Sequence, residues 1–295
     1  MKFNFNFVGK FPLAVAMSAL LVIGSIVLFF SKGLNYGVDF TGGAEIQVGF
    51  DKDISLSDLR KTLNDGGFTN SQVTSFGESK QHYLIKVSAN SGNLNETTDK
   101  ITKMLQTSFT DAGTRIDKTD IVGPKAGEQL RISGFQAMAW ALLMIMIYIA
   151  LRFDFKYSPG AIVALIHDVL IIIGIFVLFG REFSLQVVGA LLAVIGYSVN
   201  DTVVVYDRVR EHEDKSPSSK LRDLINTALN ETLSRTMLTS ITTFIVAFVM
   251  FIMGGSGIAD FFFAITLGVI IGTYSSLFVA APTILFFDKY TGKKA

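Results

Sequence analysis

The chain has 295 residues, 50% of them hydrophobic and 17% charged, with a net charge of +1. A mean hydropathy of +0.46 is too apolar for an ordinary soluble domain and suits a polytopic membrane protein, and the near-neutral charge offers no basic field for nucleic acid. The absence of cysteine excludes disulfides, thiolate chemistry and Cys-ligated zinc, and His82, His167 and His212 lie far apart in sequence, with none in an HExxH-type pair.

A membrane-spanning helix needs about 20 mostly apolar residues. The first such run is 11–30, preceded by Lys2 and Lys10. It exceeds the core of a signal peptide, about 7–15 residues, and "FFSKG" (29–33) lacks a small-residue cleavage site, so an uncleaved span is expected. Residues 31–130 form a polar region. It opens with "GVDFTGG" (37–43), where Gly37, Gly42 and Gly43 surround Asp39 and Thr41. Glycine tolerates backbone angles that other residues resist, so this stretch reads as a turn that frees the polar region from the first helix.

Within 31–130, "AEIQVGF" (44–50) alternates as a strand, and 55–67 reads as a helix with Ser55 and Asp58 at its start and Gly66–Gly67 at its end. Two strands, 71–76 and 81–88, flank a "GESK" turn. A second helix over 93–113 starts at Asn93 with Glu96 and stops at Gly113, and a last strand covers 114–123. The order βαββαβ predicts a small α+β ferredoxin-like domain. It holds no catalytic constellation, so a docking or binding module is expected rather than an enzyme. The exit, "IVGPKAGEQL" (121–130), carries Gly123, Pro124 and Gly127, which are expected to break regular structure.

Five further spans are expected at 133–151, 159–179, 185–206, 236–253 and 261–287, with a polar segment at 207–234. The expected organisation is a terminus and first helix (1–30), the α+β domain (31–130), and helices two to six (131–295). Within 220–233, Leu221, Leu224, Ile225, Ala228, Leu229 and Leu233 form one apolar stripe, which predicts an amphipathic elbow helix on the membrane surface. Lys2 and Lys10, Arg152 and Lys156, the five Lys and Arg residues between 207 and 234, and Lys289, Lys293 and Lys294 all fall on one side of a six-span arrangement. The opposite short loops offer only Arg181. Both termini are therefore expected in the cytoplasm and the α+β domain outside.

Ionisable groups inside spans are the main functional signal, because a charge at the centre of a span costs about 2.5–3.5 kcal/mol on insertion scales. In the fourth span, Gly189, Ala193, Tyr197 and Asp201 recur every four residues, with Gly196 and Asn200 beside them. Small residues at that spacing predict a close helix interface with Asp201 looking into it. In the fifth, Arg235, Thr239, Thr242 and Thr243 share a face. Helices four and five are antiparallel neighbours, so Asp201 and Arg235 fall at comparable depth and an ion pair between them is expected. The plainer reading of that pair is a static clamp, and of the threonines, packing. The third span carries Asp168, which either takes part in ion transfer or bonds a neighbouring hydroxyl. His167 points about 100° away on an ideal helix and reads as a core histidine.

"GVDFTGG" after the first helix, "IVGPKAGEQL" before the second, "YSVNDTVVVYDRVRE" at the fourth and "NETLSRTMLTSITT" at the fifth together resemble the SecD/SecF family of protein-export membrane proteins, over essentially the whole chain and in order. SecD members carry a much larger outside region, so the length is closer to the SecF branch. The resemblance implies a multi-pass protein of the bacterial cytoplasmic (inner) membrane, related to resistance-nodulation-division transporters. It also implies association with SecD, the SecYEG channel, a YajC-type accessory protein and translocating preproteins. The work is protein export driven by a proton or sodium gradient, with H⁺ or Na⁺ as coupling ion and no other cofactor. The family's membrane acid and arginine fall on Asp201 and Arg235, and its Thr/Ser-rich stretch on Thr239 and Thr242. Glu231 is an acid where a neutral or basic residue is expected. In the mechanism this implies, Asp201 titrates while Arg235 stays charged. The competing readings are a small-molecule exporter of the resistance-nodulation-division type, which predicts a substrate pocket, and a passive scaffold for SecD.

Overall fold

The computed structural model describes residues 4–69, 71–75, 81–88 and 93–291. The expected "GESK" turn, Lys2, Lys293 and Lys294 lie outside the described residues. In chain order the elements are α1 (Phe7–Lys32), β1 (Asn35–Tyr36), α2 (Val38–Thr41), β2 (Gly43–Gly49), α3 (Leu56–Asp65), β3 (Gln72–Ser75), β4 (His82–Ser88), α4 (Leu94–Ser108) and β5 (Arg115–Val122). Then come α5 (Pro124–Arg152), α6 (Ser158–Phe179), β6 (Glu182–Phe183), α7 (Leu185–Lys215), α8 (Leu221–Met253) and α9 (Ser256–Ser275). A π-helical turn, Ser276–Ala280, leads without a break into α10 (Ala281–Thr291).

Six helices are long and apolar enough to cross a membrane, and the fold is that of a polytopic α-helical membrane protein with one small α+β domain. The helices form two layers. In α6, α7 and the α9–α10 segment, half or more of the apolar window is buried, against 17% in α1, α5 and α8. The outer helices present Leu13, Leu20, Phe30, Trp140, Leu151 and Ile252 outward. Such faces are stable only where the solvent is hydrocarbon.

The α+β domain has the predicted βαββαβ order. Its sheet runs β3-β4-β2-β5, antiparallel throughout. Alternation along β2 sends Ile46 and Val48 into a core with Ile85, Leu59, Ile101 and Leu105. The Ser55 hydroxyl accepts the Asp58 N–H at 3.1 Å and Asn93 Oδ1 accepts the Asn95 N–H at 3.2 Å, which satisfies backbone donors at the two helix starts.

Three expectations are corrected where the domain and the helices meet. "GVDFTGG" is no free turn: it winds into α2 and is wedged among α5, β4 and the start of α7. A Cβ on Gly43 (φ +152°) would sit 2.2 Å from the Val87 carbonyl oxygen, and one on Gly127 would sit 2.7 Å from the Gly42 nitrogen. The glycines are there because two backbones touch. Gly123, Pro124 and Gly127 do not break regular structure either. Gly123 is the N-cap and Pro124 the first residue of the 29-residue α5, a position where proline's fixed φ and missing N–H are no handicap. Nor is there a separate elbow over 220–233. α8 is one helix from Leu221 to Met253, and Leu224, Ile225, Ala228, Leu229 and Leu233 are buried against the chain itself.

Candidate functional site: the polar interior of the bundle

The inner helices approach closely through a small-residue seam on α9. A Cβ on Gly268 would meet Val194 Cγ2 at 2.1 Å, and one on Gly272 would meet Ser198 Cβ at 3.1 Å. The contact brings α7 and α9 close enough for short polar side chains to bond across helices.

Asp168 on α6 lies at the centre of that contact, 0% exposed. Its Oδ2 accepts the Ser198 hydroxyl at 2.6 Å and the Ser275 hydroxyl at 2.8 Å, from α7 and α9. Its Oδ1 shares a 3.0 Å hydrogen bond with His167 Nδ1. One carboxylate thus ties three helices. Of the two readings the sequence leaves open for Asp168, the bond to neighbouring hydroxyls is present. His167 does not point away: the Cβ vectors of adjacent residues diverge, but the imidazole is long enough to fold back onto its neighbour.

Asp201 is 2% exposed and in the opposite condition. Among the described residues its Oδ2 has no hydrogen-bond partner, and neither has the buried Thr236 hydroxyl. The antiparallel register of α7 and α8 sets the depth of these two groups. The Tyr197 hydroxyl donates to Ser240 Oγ at 3.0 Å, and Ser240 shares a 2.6 Å hydrogen bond with Thr273 of α9. One turn along both helices, Asp201 comes level with Thr236.

The expected Asp201–Arg235 ion pair is not formed. Arg235 is exposed and exerts an electrostatic pull on Asp201, but no ion pair within 4.0 Å joins them among the described residues. Arg235 is one residue from Thr236 and so projects about 100° round α8, toward the open side. Asn200, Thr239 and Thr242 share that side in part: Asn200 and Thr242 are exposed, and Thr239 is half-buried. The Thr239 and Thr242 hydroxyls donate back to carbonyls of their own helix, to Arg235 O at 3.1 Å and Leu238 O at 2.8 Å.

The predicted small-residue interface on α7 also needs correction. Gly189, Ala193, Gly196 and Asn200 are exposed, and a Cβ on Gly189 or Gly196 would meet nothing within 4 Å. A spacing of four drifts about 40° per step, so over twelve residues Asp201 turns about 120° away from Gly189. Asp201 faces the core of this chain, and the glycine stripe faces outward from it.

The motif glycines and Asp39 connect this interior to the α+β domain. Asp39 Oδ2 accepts the Leu185 N–H at 3.2 Å, so the motif's acid caps the first turn of the helix that carries Asp201. The Gly37 N–H donates to the Phe183 carbonyl at 3.0 Å beside the parallel β1–β6 pair. From the domain side, Lys86 Nζ donates to both Glu182 oxygens, at 2.8 and 2.7 Å. On the far side of the bundle Glu231 bonds Arg208 at 2.5 Å and His212 at 2.8 Å, which clamps α8 to α7. Sequence reading missed Ser198, Tyr274, Ser275, Lys86 and Glu182, since single serines in an apolar run and charges at loop edges carry no distinctive spacing. Among the described residues no three His, Asp or Glu side chains converge as a metal site.

Family models match two parts of the chain: "Protein export membrane protein SecD/SecF, C-terminal" at residues 100–290 and "SecD/SecF GG Motif" at residues 27–54. The protein translocase subunit SecF of Petrotoga mobilis is 40% identical over 288 residues, covering 96% of this chain and 95% of the relative. That of Magnetococcus marinus is 40% identical over 294 residues, covering 99% and 94%. Among solved structures, the crystal structure of SecDF, a translocon-associated membrane protein from Thermus thermophilus, superposes with a TM-score of 0.83 at 33% identity, covering 97% of this chain. The chain spans 39% of the length of that SecDF chain.

Proposed function

From the premise that this chain belongs to the SecD/SecF family of protein-export membrane proteins, we propose that its work as a SecF-type translocase subunit is driven by an ion gradient acting on Asp201. The carrying observation is a carboxyl 2% exposed with an unpartnered oxygen and a guanidinium nearby but not bonded to it. A buried carboxylate without compensation is costly by several kcal/mol. Two things compensate it here: an arriving proton or sodium ion, or the approach of Arg235. Those two states differ in how α7 packs on α8.

A charge crossing the membrane field is worth about 2.3 kcal/mol per 100 mV, enough to bias two packings by about fiftyfold. The shift reaches the α+β domain through the Asp39 cap on α7 and the α2 wedge. The Lys and Arg asymmetry of the short loops supports cytoplasmic termini in the inner membrane, with the domain on the outer side. SecD is the partner proposed for the open Gly189–Ala193–Gly196–Asn200 stripe. SecYEG, a YajC-type protein and the preprotein are further partners by family resemblance.

The test is secretion of a preprotein by cells carrying wild type or Asp201→Asn, with and without uncoupler. Asp201→Asn is expected to assemble normally and to lose the uncoupler-sensitive part of secretion. Full, uncoupler-sensitive secretion by Asp201→Asn sinks the coupling role and leaves the scaffold reading.

A further inference from the structure

We propose that His167 and Asp168 form a second proton-binding site in the bundle, separate from Asp201, in which His167 Nε2 takes the proton and Asp168 holds the resulting imidazolium. His167 is 4% exposed, and its two ring nitrogens are in unequal positions. Nδ1 stands 3.0 Å from Asp168 Oδ1, and with the carboxylate ionised it is Nδ1 that carries the proton of that bond. Nε2 is buried with no hydrogen-bond partner among the described residues. With Nδ1 protonated, Nε2 carries a lone pair, which is a vacant proton acceptor in a dry interior. A proton added there puts one positive charge on the ring. The adjoining carboxylate neutralises it, with its other oxygen already held by Ser198 at 2.6 Å and Ser275 at 2.8 Å. The step transfers one proton from water to nitrogen and no electrons.

The surroundings supply no rival charge at contact distance. α1 contributes Ser18 and has no charged residue between Lys10 and Lys32; α5 has none between Arg131 and Arg152. α7 contributes Ser198, with Asp201 one turn further on and Arg235 beyond it on α8. α9 contributes Tyr274 and Ser275, and that segment has no charge between Asp260 and Asp288. The Tyr274 ring stacks on His167 with centroids 6.1 Å apart. Its hydroxyl donates to the Ala14 carbonyl at 2.8 Å and shares a 3.0 Å bond with Ser18. A protonated Nε2–H has no acceptor in this packing, so proton uptake favours a rearrangement that gives it one. Tyr274, the ring stacked on His167, is tied to α1, which leads directly into β1 and α2. Proton occupancy at this site therefore bears on how α1 sits against α6 and α9.

The test is nitrogen NMR of the full chain with ¹⁵N-labelled imidazoles in lipid bilayers, with His167→Asn identifying the His167 signals among the three histidines. Nε2 is expected to show an unprotonated, acceptor-type shift at the alkaline end and an imidazolium shift at the acid end. Asp168→Asn removes the carboxylate that holds the imidazolium and is expected to change the Nε2 titration. Asp201→Asn is expected to leave this titration in place, whatever it does to secretion. If Asp168→Asn does not fold, Ser198→Ala and Ser275→Ala serve instead: each strips a donor from the carboxylate and is expected to move the Nε2 titration. An Nε2 that keeps one protonation state at every pH where the protein stays folded overturns the proposal. So does a titration that all the Asp168, Ser198 and Ser275 variants leave unmoved, or one that disappears in Asp201→Asn.

Discussion

Glu182→Gln is expected to loosen the docking of the α+β domain on the helices by about 1–2 kcal/mol. Lys86 and Glu182 are 19% and 18% exposed, and the lysine reaches both carboxylate oxygens, at 2.8 and 2.7 Å. A hydrogen bond to a charged group contributes about 1.5–3 kcal/mol, and partial solvent access together with the one acceptor oxygen that Gln keeps reduces that to about 1–2 kcal/mol. The docked-to-undocked ratio should then fall about five- to thirtyfold. Glu45, 3.4 Å from Lys86, belongs to the same domain and stays with the lysine after undocking, so it does not carry the latch. Burial pushes Lys86 toward its neutral form, but attraction and hydrogen bonding to Glu182, helped by Glu45, outweigh it and raise its pKa above 10.5. For a group whose pKa is raised on docking, the stabilisation is whole below 10.5 and is lost as pH climbs through the raised value, so the lysine side of the latch is flat across neutral pH. The assay is a spin-label distance between Thr119 on β5 and Met253 at the end of α8, introduced as cysteines into a chain that has none. A distance distribution unchanged in both Glu182→Gln and Lys86→Met would refute the latch.

Gly43→Ala should destabilise the protein by about 1–3 kcal/mol, because its Cβ would meet a backbone carbonyl at 2.2 Å and its φ of +152° suits only glycine; thermal unfolding of the detergent-purified protein reads this out. Asp39→Ala should cost about 1 kcal/mol through loss of the charged cap on α7, and Asp39→Asn should restore most of it, since Asn keeps an acceptor. Hydrogen exchange at the first turn of α7 checks that pair: faster exchange in Asp39→Ala than in Asp39→Asn is the expected order.

The six spans and the βαββαβ domain were legible because each rests on a one-dimensional pattern: apolar runs of sufficient length, alternation along β2, and caps at Ser55 and Asn93. The faces of the helices were less legible. The four-residue spacing from Gly189 to Asp201 looks like one stripe in a string of letters, yet the 3.6-residue turn rotates its last member into a different environment. Pair geometry was harder still. Depth along two antiparallel helices put Asp201 and Arg235 level, but the rotational position of each decides contact, and Arg235 turns to the exposed side while Asp201 is buried. The network at Asp168 was hidden because its partners, Ser198 and Ser275, are ordinary residues whose importance comes from the Gly268–Gly272 seam that lets α7 and α9 approach.

The two interior acids differ in one physical respect that separates their roles. Asp168 has a donor on each oxygen and ties α6 to α7 and α9. Removing it takes a partner from His167, Ser198 and Ser275, the last of which keeps the Gly272 carbonyl, so it belongs to the framework as well as to the site proposed on His167. Among the described residues Asp201 has no donor on Oδ2, and the Thr236 hydroxyl at its level is unsatisfied. A native fold keeps a buried polar group unsatisfied at a cost of about 1–3 kcal/mol, and more if it is charged. At Asp201 the chain carries that cost on the helix whose first turn is capped by the motif at the base of the α+β domain. A group held short of its partners favours any rearrangement that supplies them, and Arg235 on the next helix, or the ion of the coupling proposed above, would supply one to Asp201.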